Sequence, residues 1–261
     1  MSGLIFRLPG LFTDLTIPKL YRDKVITAGT KYCYDSKDVY SFPRQAAPVS
    51  GVDAWKNLLD GGPSANFIGN LGFDTGFKFF QANGEYITLP ASGIAAAGAD
   101  GFLVTIWIKL GTPTPSGGSA VFSAGSVYGV EGNQYALTWL NGGLRFHIGG
   151  WQANAFVAAD VVPTAIHQLG MSMKKRAADG KYDMTTYIDG VARQTSVSAF
   201  TSIPQPNAQW PNPLIGSGPV YASAGWDGAV YRTLYDDCSV KSAAELVALD
   251  YAENHQRIAG V

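Results

Sequence analysis

Tyr182-Asp183-Met184-Thr185-Thr186-Tyr187-Ile188-Asp189-Gly190-Val191-Ala192-Arg193-Gln194-Thr195-Ser196-Val197 reads as two strands around a turn. Tyr182, Met184, Thr186 and Ile188 alternate with Asp183, Thr185, Tyr187 and Asp189, the period of a strand with two different faces. Asp189-Gly190 tolerates the positive φ of a tight hairpin turn. The same punctuation recurs on either side. Gln168–Lys174 leads into Tyr182–Ile188 through a loop containing Asp179-Gly180, Tyr135–Leu140 and Leu144–Ile148 flank Asn141-Gly142-Gly143, and Phe77–Phe80 and Glu85–Leu89 flank Asn83-Gly84. Alternating strands joined by such turns predict antiparallel β structure.

Phe102–Leu110 adds the layering. Phe102, Val104, Ile106, Ile108 and Leu110 fill one face, while Leu103 and Trp107 occupy the other. A strand apolar on both sides belongs in the middle of a sheet that is covered above and below. Many short strands around such a centre suit a two-sheet sandwich. One helix is expected near the end, where Ser242-Ala243-Ala244-Glu245 forms a capping box. Leu246, Val247, Leu249 and Tyr251 supply its apolar side, and it should stop around His255–Ile258, before Gly260.

Composition narrows the class. The 261 residues are 46% hydrophobic and 15% charged, with a net charge of −1 from 19 Lys+Arg and 20 Asp+Glu. Such a chain can bury a large core and carries no basic footprint for nucleic acid. No apolar run approaches the roughly 20 residues needed to cross a bilayer as a helix. The start, Met1 to Pro9, is interrupted by Arg7 and lacks the apolar stretch of a secretory signal. Cys33 and Cys238 match no metal spacing and are expected as buried free thiols. Residues 1–62 differ in texture: Leu4–Leu8 is a strand candidate, but Pro9, Pro18, Pro43 and Pro48 and scattered charges leave little periodicity. Such a segment either docks on another molecule or wraps the main domain.

The order of motifs resembles a known family. Phe77 to Pro90, the strand Phe102–Leu110, the hairpin Tyr187-Ile188-Asp189-Gly190-Val191, then Leu214-Ile215-Gly216-Ser217, Trp226-Asp227-Gly228 and Leu234 to Leu246 are similar to successive strands and the closing helix of laminin-G-like, concanavalin A-like jelly-roll domains. The resemblance covers about residues 63–258 and departs in the closing strand, Val230–Tyr235, which lacks the family's acidic pair. It implies an all-β, two-sheet antiparallel jelly-roll sandwich (63–261) with one short C-terminal helix and an N-terminal docking arm (1–62) that carries a short strand able to join the sandwich. Such a sandwich behind an arm, without an export signal, also resembles virion proteins of tailed bacteriophages, which assemble in the host cytoplasm.

Relatives on this fold that hydrolyse glycosides with retention use a pattern similar to E-x-D-x-x-E, two carboxylates about 5 Å apart on one strand face. The four glutamates here, Glu85, Glu131, Glu245 and Glu253, have no such spacing, and no hydrolase, nucleotide or zinc motif occurs. The chain is therefore expected to be no enzyme. His147, beside Arg145, is expected on a solvated strand face, His167 at a strand start and His255 at the helix end. Many relatives hold calcium. Asp189, Asp227, Asp236 and Asp237 are the available loop carboxylates, but no calcium loop motif occurs, so no cofactor is expected, with calcium the less favoured alternative.

Aromatic loops are the remaining candidates, since sugars pack C–H patches on flat rings while amides and carboxylates hold their hydroxyls. Trp151, Gln152, Asn154, Trp210, Tyr221 and Trp226 have that chemistry, as contacts to a glycan or a protein. Trp151 and Trp210 could instead pack beneath long loops or against another subunit. The resemblance to virion proteins implies a structural component of a phage particle, homo-oligomeric and held to other virion proteins through residues 1–62. The alternative is an adhesin that binds host surface glycans.

Overall fold

The computed structural model describes residues 22–80, 84–111, 119–125, 133–140, 143–149, 152–155, 161, 164–206, 211–216 and 226–260. Among these the strands are β1 (Thr30–Asp35), β2 (Ala54–Trp55), β3 (Ala65–Ile68), β4 (Gly72–Phe73), β5 (Phe77–Phe79), β6 (Tyr86–Thr88), β7 (Gly101–Leu110), β8 (Ser119–Gly125), β9 (Asn133–Leu140), β10 (Gly143–Ile148), β11 (Gln152–Ala155), β12 (Ile166–Lys175), β13 (Tyr182–Ile188), β14 (Val191–Val197), β15 (Pro213–Gly216) and β16 (Gly228–Asp236). The helix α1 (Ala243–Ala259) follows. It is 17 residues long, opened by the Ser242/Glu245 capping box and closed by Gly260 at φ 76°, as expected.

The strands form two antiparallel sheets. One runs β14-β13-β12-β7-β16-β5-β4, and the other β11-β10-β9-β8-β15-β6-β3-β2. Strand β16 borders β7 on one side; on the other its start pairs with β5 and its remainder with β1. The chain is a β-sandwich, as the alternation predicts. The Asp189-Gly190 hairpin pairs β13 with β14, Asp189 and Gly190 both taking positive φ, and β9–β10 and β12–β13 also pair as expected.

One hairpin does not form. β5 pairs with β16 and β4, whereas β6 pairs with β15 and β3, so the chain changes sheets between Phe79 and Tyr86. Gly84 has the expected positive φ. A glycine turn redirects the backbone, but the partner each strand finds is a tertiary outcome.

The two-faced strand sits where it was expected. Phe102, Val104, Ile106 and Ile108 join the core between the sheets, while Leu103 packs with Leu234, Leu246 and Val247 beneath α1. Trp107, on the same outer face, stacks on Tyr251 of the helix at 5.8 Å.

The boundary at residue 62 is corrected. Val25, Ile26, Tyr32, Cys33, Tyr34, Phe42, Trp55 and Leu58 are buried in the sandwich's own cores, and β1 and β2 belong to its two sheets. Residues 22–62 are therefore part of the domain. Their poor periodicity reflects irregular segments laid over a sheet and helix, where contacts rather than pattern decide burial. The strand candidate Leu4–Leu8 lies outside the described residues.

A buried polar hub ties this segment down. Arg232 of β16, fully buried, donates to Asp250 of α1, to Asp35 at the end of β1 and to Asp23. Asp35 also accepts from Arg257, and Asp250 accepts from Trp107, Gln168 and Asn254. Burial alone would raise the Asp35 pKa, but the Arg257 and Arg232 guanidiniums outweigh it and hold the carboxyl below its usual range.

Candidate functional site

The aromatic-loop residues do not assemble into one described patch. Trp151, Trp210 and Tyr221 lie outside the described residues. Gln152 and Asn154 fall on β11, the edge strand of the second sheet, opposite Ile148 and Phe146. Trp226 is corrected from a surface contact to a core residue. It is 1% exposed, stacks on Phe79 at 5.4 Å, and lies so close to Gly228 that a Cβ there would come within 2.1 Å of its ring. The indole is large and apolar enough to close the end of the inter-sheet core, and the glycine makes room for it.

The histidines also differ from expectation. His147 is only 5% exposed, its Nε2 has no partner, and burial with the nearby Arg145 charge pushes its pKa down to about 4. Period 2 identified its face correctly but not what covers that face. His167 Nδ1 lies 2.7 Å from Asp189 Oδ2, and Asp189 Oδ1 accepts from the Gln168 amide, so the turn carboxylate also fastens the start of β12. His255 contacts the Tyr251 carbonyl through Nδ1 at 3.0 Å.

Nor do the loop carboxylates converge. Asp236 accepts from Thr27 and Thr30, Asp237 pairs with Lys31 at 2.6 Å, and Asp189 is engaged as described. Among the described residues, no group of three or more His, Cys, Asp or Glu side chains is placed to hold a metal ion. Both cysteines are free; Cys33 is buried, but Cys238 is only partly so.

A large concavity lies on the outer face of the helix-covered sheet. The outward residues of β13, Asp183, Thr185 and Tyr187, stand beside Ser172 and Lys174 of β12 and Thr195 of β14. The segment from Asp237 to the first turn of α1 walls this strip and makes a cleft of about 880 Å³. The sheet supplies a rigid floor: Thr185 and Thr195 hydroxyls lie 2.9 Å apart, and Ser172 Oγ is 3.1 Å from Tyr187 Oη. Asp100, Asp237, Ser239 and Lys241 add polar groups to a lining that also includes Ala99, Met173, Val240 and Ala243.

Its electrostatics are mixed. Lys31 and the Ser239 bonds overcome partial burial and hold Asp237 below the usual carboxylate range. Arg176 lies 3.8 Å from Asp183. Burial and the adjacent Asp236 and Asp237 push the Cys238 thiol up to about 12, so it lines the cleft protonated and is no ready nucleophile at neutral pH. The lining offers hydroxyls that donate and accept, carboxylates that accept and ammoniums that donate, the set that recognises a polyol. The signal was present in the sequence as the outward half of the Tyr182–Val197 alternation. The wall that turns this face into a cleft comes from residues some 40 to 60 positions later.

No helix among the described residues is long and apolar enough to cross a membrane. No family model matches the chain, and no curated protein matches it. Solved structures do. The sialidase of Trypanosoma rangeli aligns with a TM-score of 0.57 and 16% identity, over 87% of this chain and 33% of that one. A mutant of it displaying trans-sialidase activity aligns at 0.59 and 14% identity, over 91% and 34%. The binding domain of botulinum neurotoxin serotype D/C aligns at 0.55 and 11% identity, over 86% and 52%. The chain spans about a third of the length of these sialidases. At such identities the likeness is one of fold, a β-sandwich.

This finding overturns the expectation that the chain is no enzyme. The fold it shares is found within glycosidase chains, and the spacing of four glutamates excluded one catalytic pattern only.

Proposed function

We propose that this chain is a lectin-like module that binds carbohydrate in the cleft between the outer face of β12–β14 and the start of α1. The observation that carries the reading is the cleft's lining, in which sheet-anchored hydroxyls lie among carboxylates and lysines on a floor that needs no ordering on binding. One of the similar structures is a sialidase in complex with sialic acid, which supports a saccharide as the ligand class. The setting we propose is a bacteriophage particle carrying several copies of the chain, and its support is the resemblance in the sequence. Capsid or tail genes beside its own gene are the expected outcome, and their absence would remove that setting.

A glycan array tests the binding. Wild-type chain should be retained on a restricted set of glycans, and Thr185→Ala combined with Thr195→Ala should weaken retention about tenfold, the effect of losing one or two hydrogen bonds to ligand. A wild-type chain that no glycan retains, or a double variant that binds as well as wild type, would refute the proposal.

A further inference from the structure

We infer that the chain has a separate sugar-contacting site in which a pyranose ring lies on Phe80, an inference that rests on the carbohydrate-binding reading but not on the cleft. Phe77 and Phe79 point inward from β5, at 0% and 3% exposure, whereas Phe80, just past the strand, is 46% exposed. Its backbone is held: the Phe80 amide donates to Oε2 of Glu85 at 3.0 Å, and Glu85 is 2% exposed. Its ring lies against Gly72, where a Cβ would stand 3.3 Å from Cε2.

This ring borders a hollow of about 310 Å³ that Phe79 and Tyr231 also line. Gly76 backs the Tyr231 ring as Gly72 backs Phe80, since a Cβ at Gly76 would come within 2.6 Å of Cε1. Gly228 and Ala229 keep the hollow open, and Lys109, Asp227 and the Asp74–Lys78 ion pair, 3.2 Å between charges, also line it.

The volume sits at the small end of ligand sites and suits one or two sugar rings. The chemistry selects the class. A purely apolar hollow would suit an aliphatic side chain, but here flat rings are bordered by carboxylates and ammoniums, which match the C–H face and the hydroxyl edge of a pyranose. The site is distinct from the cleft. Gly101, at the start of β7, lines the cleft, and Leu110, at its end, lines the hollow, which separates them by roughly 30 Å of strand.

Titration of the full chain with methyl β-D-galactopyranoside and methyl β-D-glucopyranoside, followed by saturation-transfer and amide NMR, tests the inference. One of the two sugars should shift amides around Phe80, Phe80→Ala should weaken that binding about tenfold, and Phe80→Trp should retain it. Because Phe80 is exposed, both variants should melt within a few degrees of wild type. The inference falls if neither sugar shifts those amides, or if Phe80→Ala binds as wild type does. Glycan retention lost in the cleft variant alone would uphold the cleft and remove the Phe80 site; loss in Phe80→Ala alone would do the reverse.

Discussion

Arg232 Nε lies 2.7 Å from Asp250 Oδ1, and both side chains are fully buried. This pair joins the closing strand to the helix, and through Asp35 and Asp23 it reaches β1 and the segment that precedes it. The hub holds two guanidiniums, Arg232 and Arg257, against three carboxylates, and Arg232 Nη2 alone among the hub's guanidinium nitrogens is buried without a partner.

Arg232→Met should destabilise the chain by about 3–5 kcal/mol, because it strands buried carboxylates rather than replacing the whole network. Urea unfolding at neutral pH measures this, and an unchanged midpoint would show that the hub contributes nothing.

Removing residues 1–62 should leave an unfolded or insoluble product. It deletes β1 beside β16, two carboxylate partners of Arg232, and core side chains such as Tyr32, Phe42 and Trp55. Circular dichroism and gel filtration of the truncated chain check this; a folded, monodisperse product would contradict it.

Acid sensitivity should have two stages. The folded pKa of His147 is about 4, below its unfolded value of about 6.5, so the unfolded chain binds the extra proton first. Its contribution is complete above pH 6.5 and is lost as pH falls towards 4, on the order of 3 kcal/mol at most. Asp35, also depressed, contributes above its unfolded pKa and loses that contribution as pH falls below about 4, through its folded value. Denaturant midpoints between pH 7 and 3 should therefore fall throughout, and His147→Gln should flatten only the upper stage. A His147→Gln profile parallel to wild type across pH 4–6.5 would exclude the histidine.

Gly228→Ala should cost about 1–3 kcal/mol, the range for overpacking. The added methyl would meet the Trp226 ring at 2.1 Å and the Lys109 carbonyl at 2.5 Å, and the latter is fixed in β7. Thermal melting reads the loss; an unshifted transition would mean that the β7–β16 ladder yields there.

Much of the architecture was legible because local pattern and tertiary role coincide. Asp189-Gly190 is a hairpin turn wherever it falls between alternating strands, and Ser242 to Glu245 caps a helix through contacts three residues apart. Gly84 shows the limit, since it takes the expected positive φ but the flanking strands chose partners in different sheets. The buried side of α1 shows another. Leu246 and Val247 are buried as expected, but Asp250 and Asn254 are buried too, because Arg232 lies beneath them.

The candidate sites were harder to read. Trp226 carried the chemistry of a sugar contact yet fills the core, while Phe80, written as one more strand residue, carries the exposed ring. Period 2 separates the two faces of a strand but does not say which face meets solvent, nor where a strand releases its last residue.

Alternation, turn glycines and a capping box, all local features, were enough to determine two antiparallel layers, a doubly covered central strand and a C-terminal helix. Folding in three dimensions decided which strands are neighbours, that residues 22–62 complete the sandwich, and where a polar face becomes a cleft. The physical reason is range: hydrogen-bond geometry and side-chain periodicity act within a few residues, whereas burial, ion pairing and concavity are set by segments as far apart as Asp23 and Arg232.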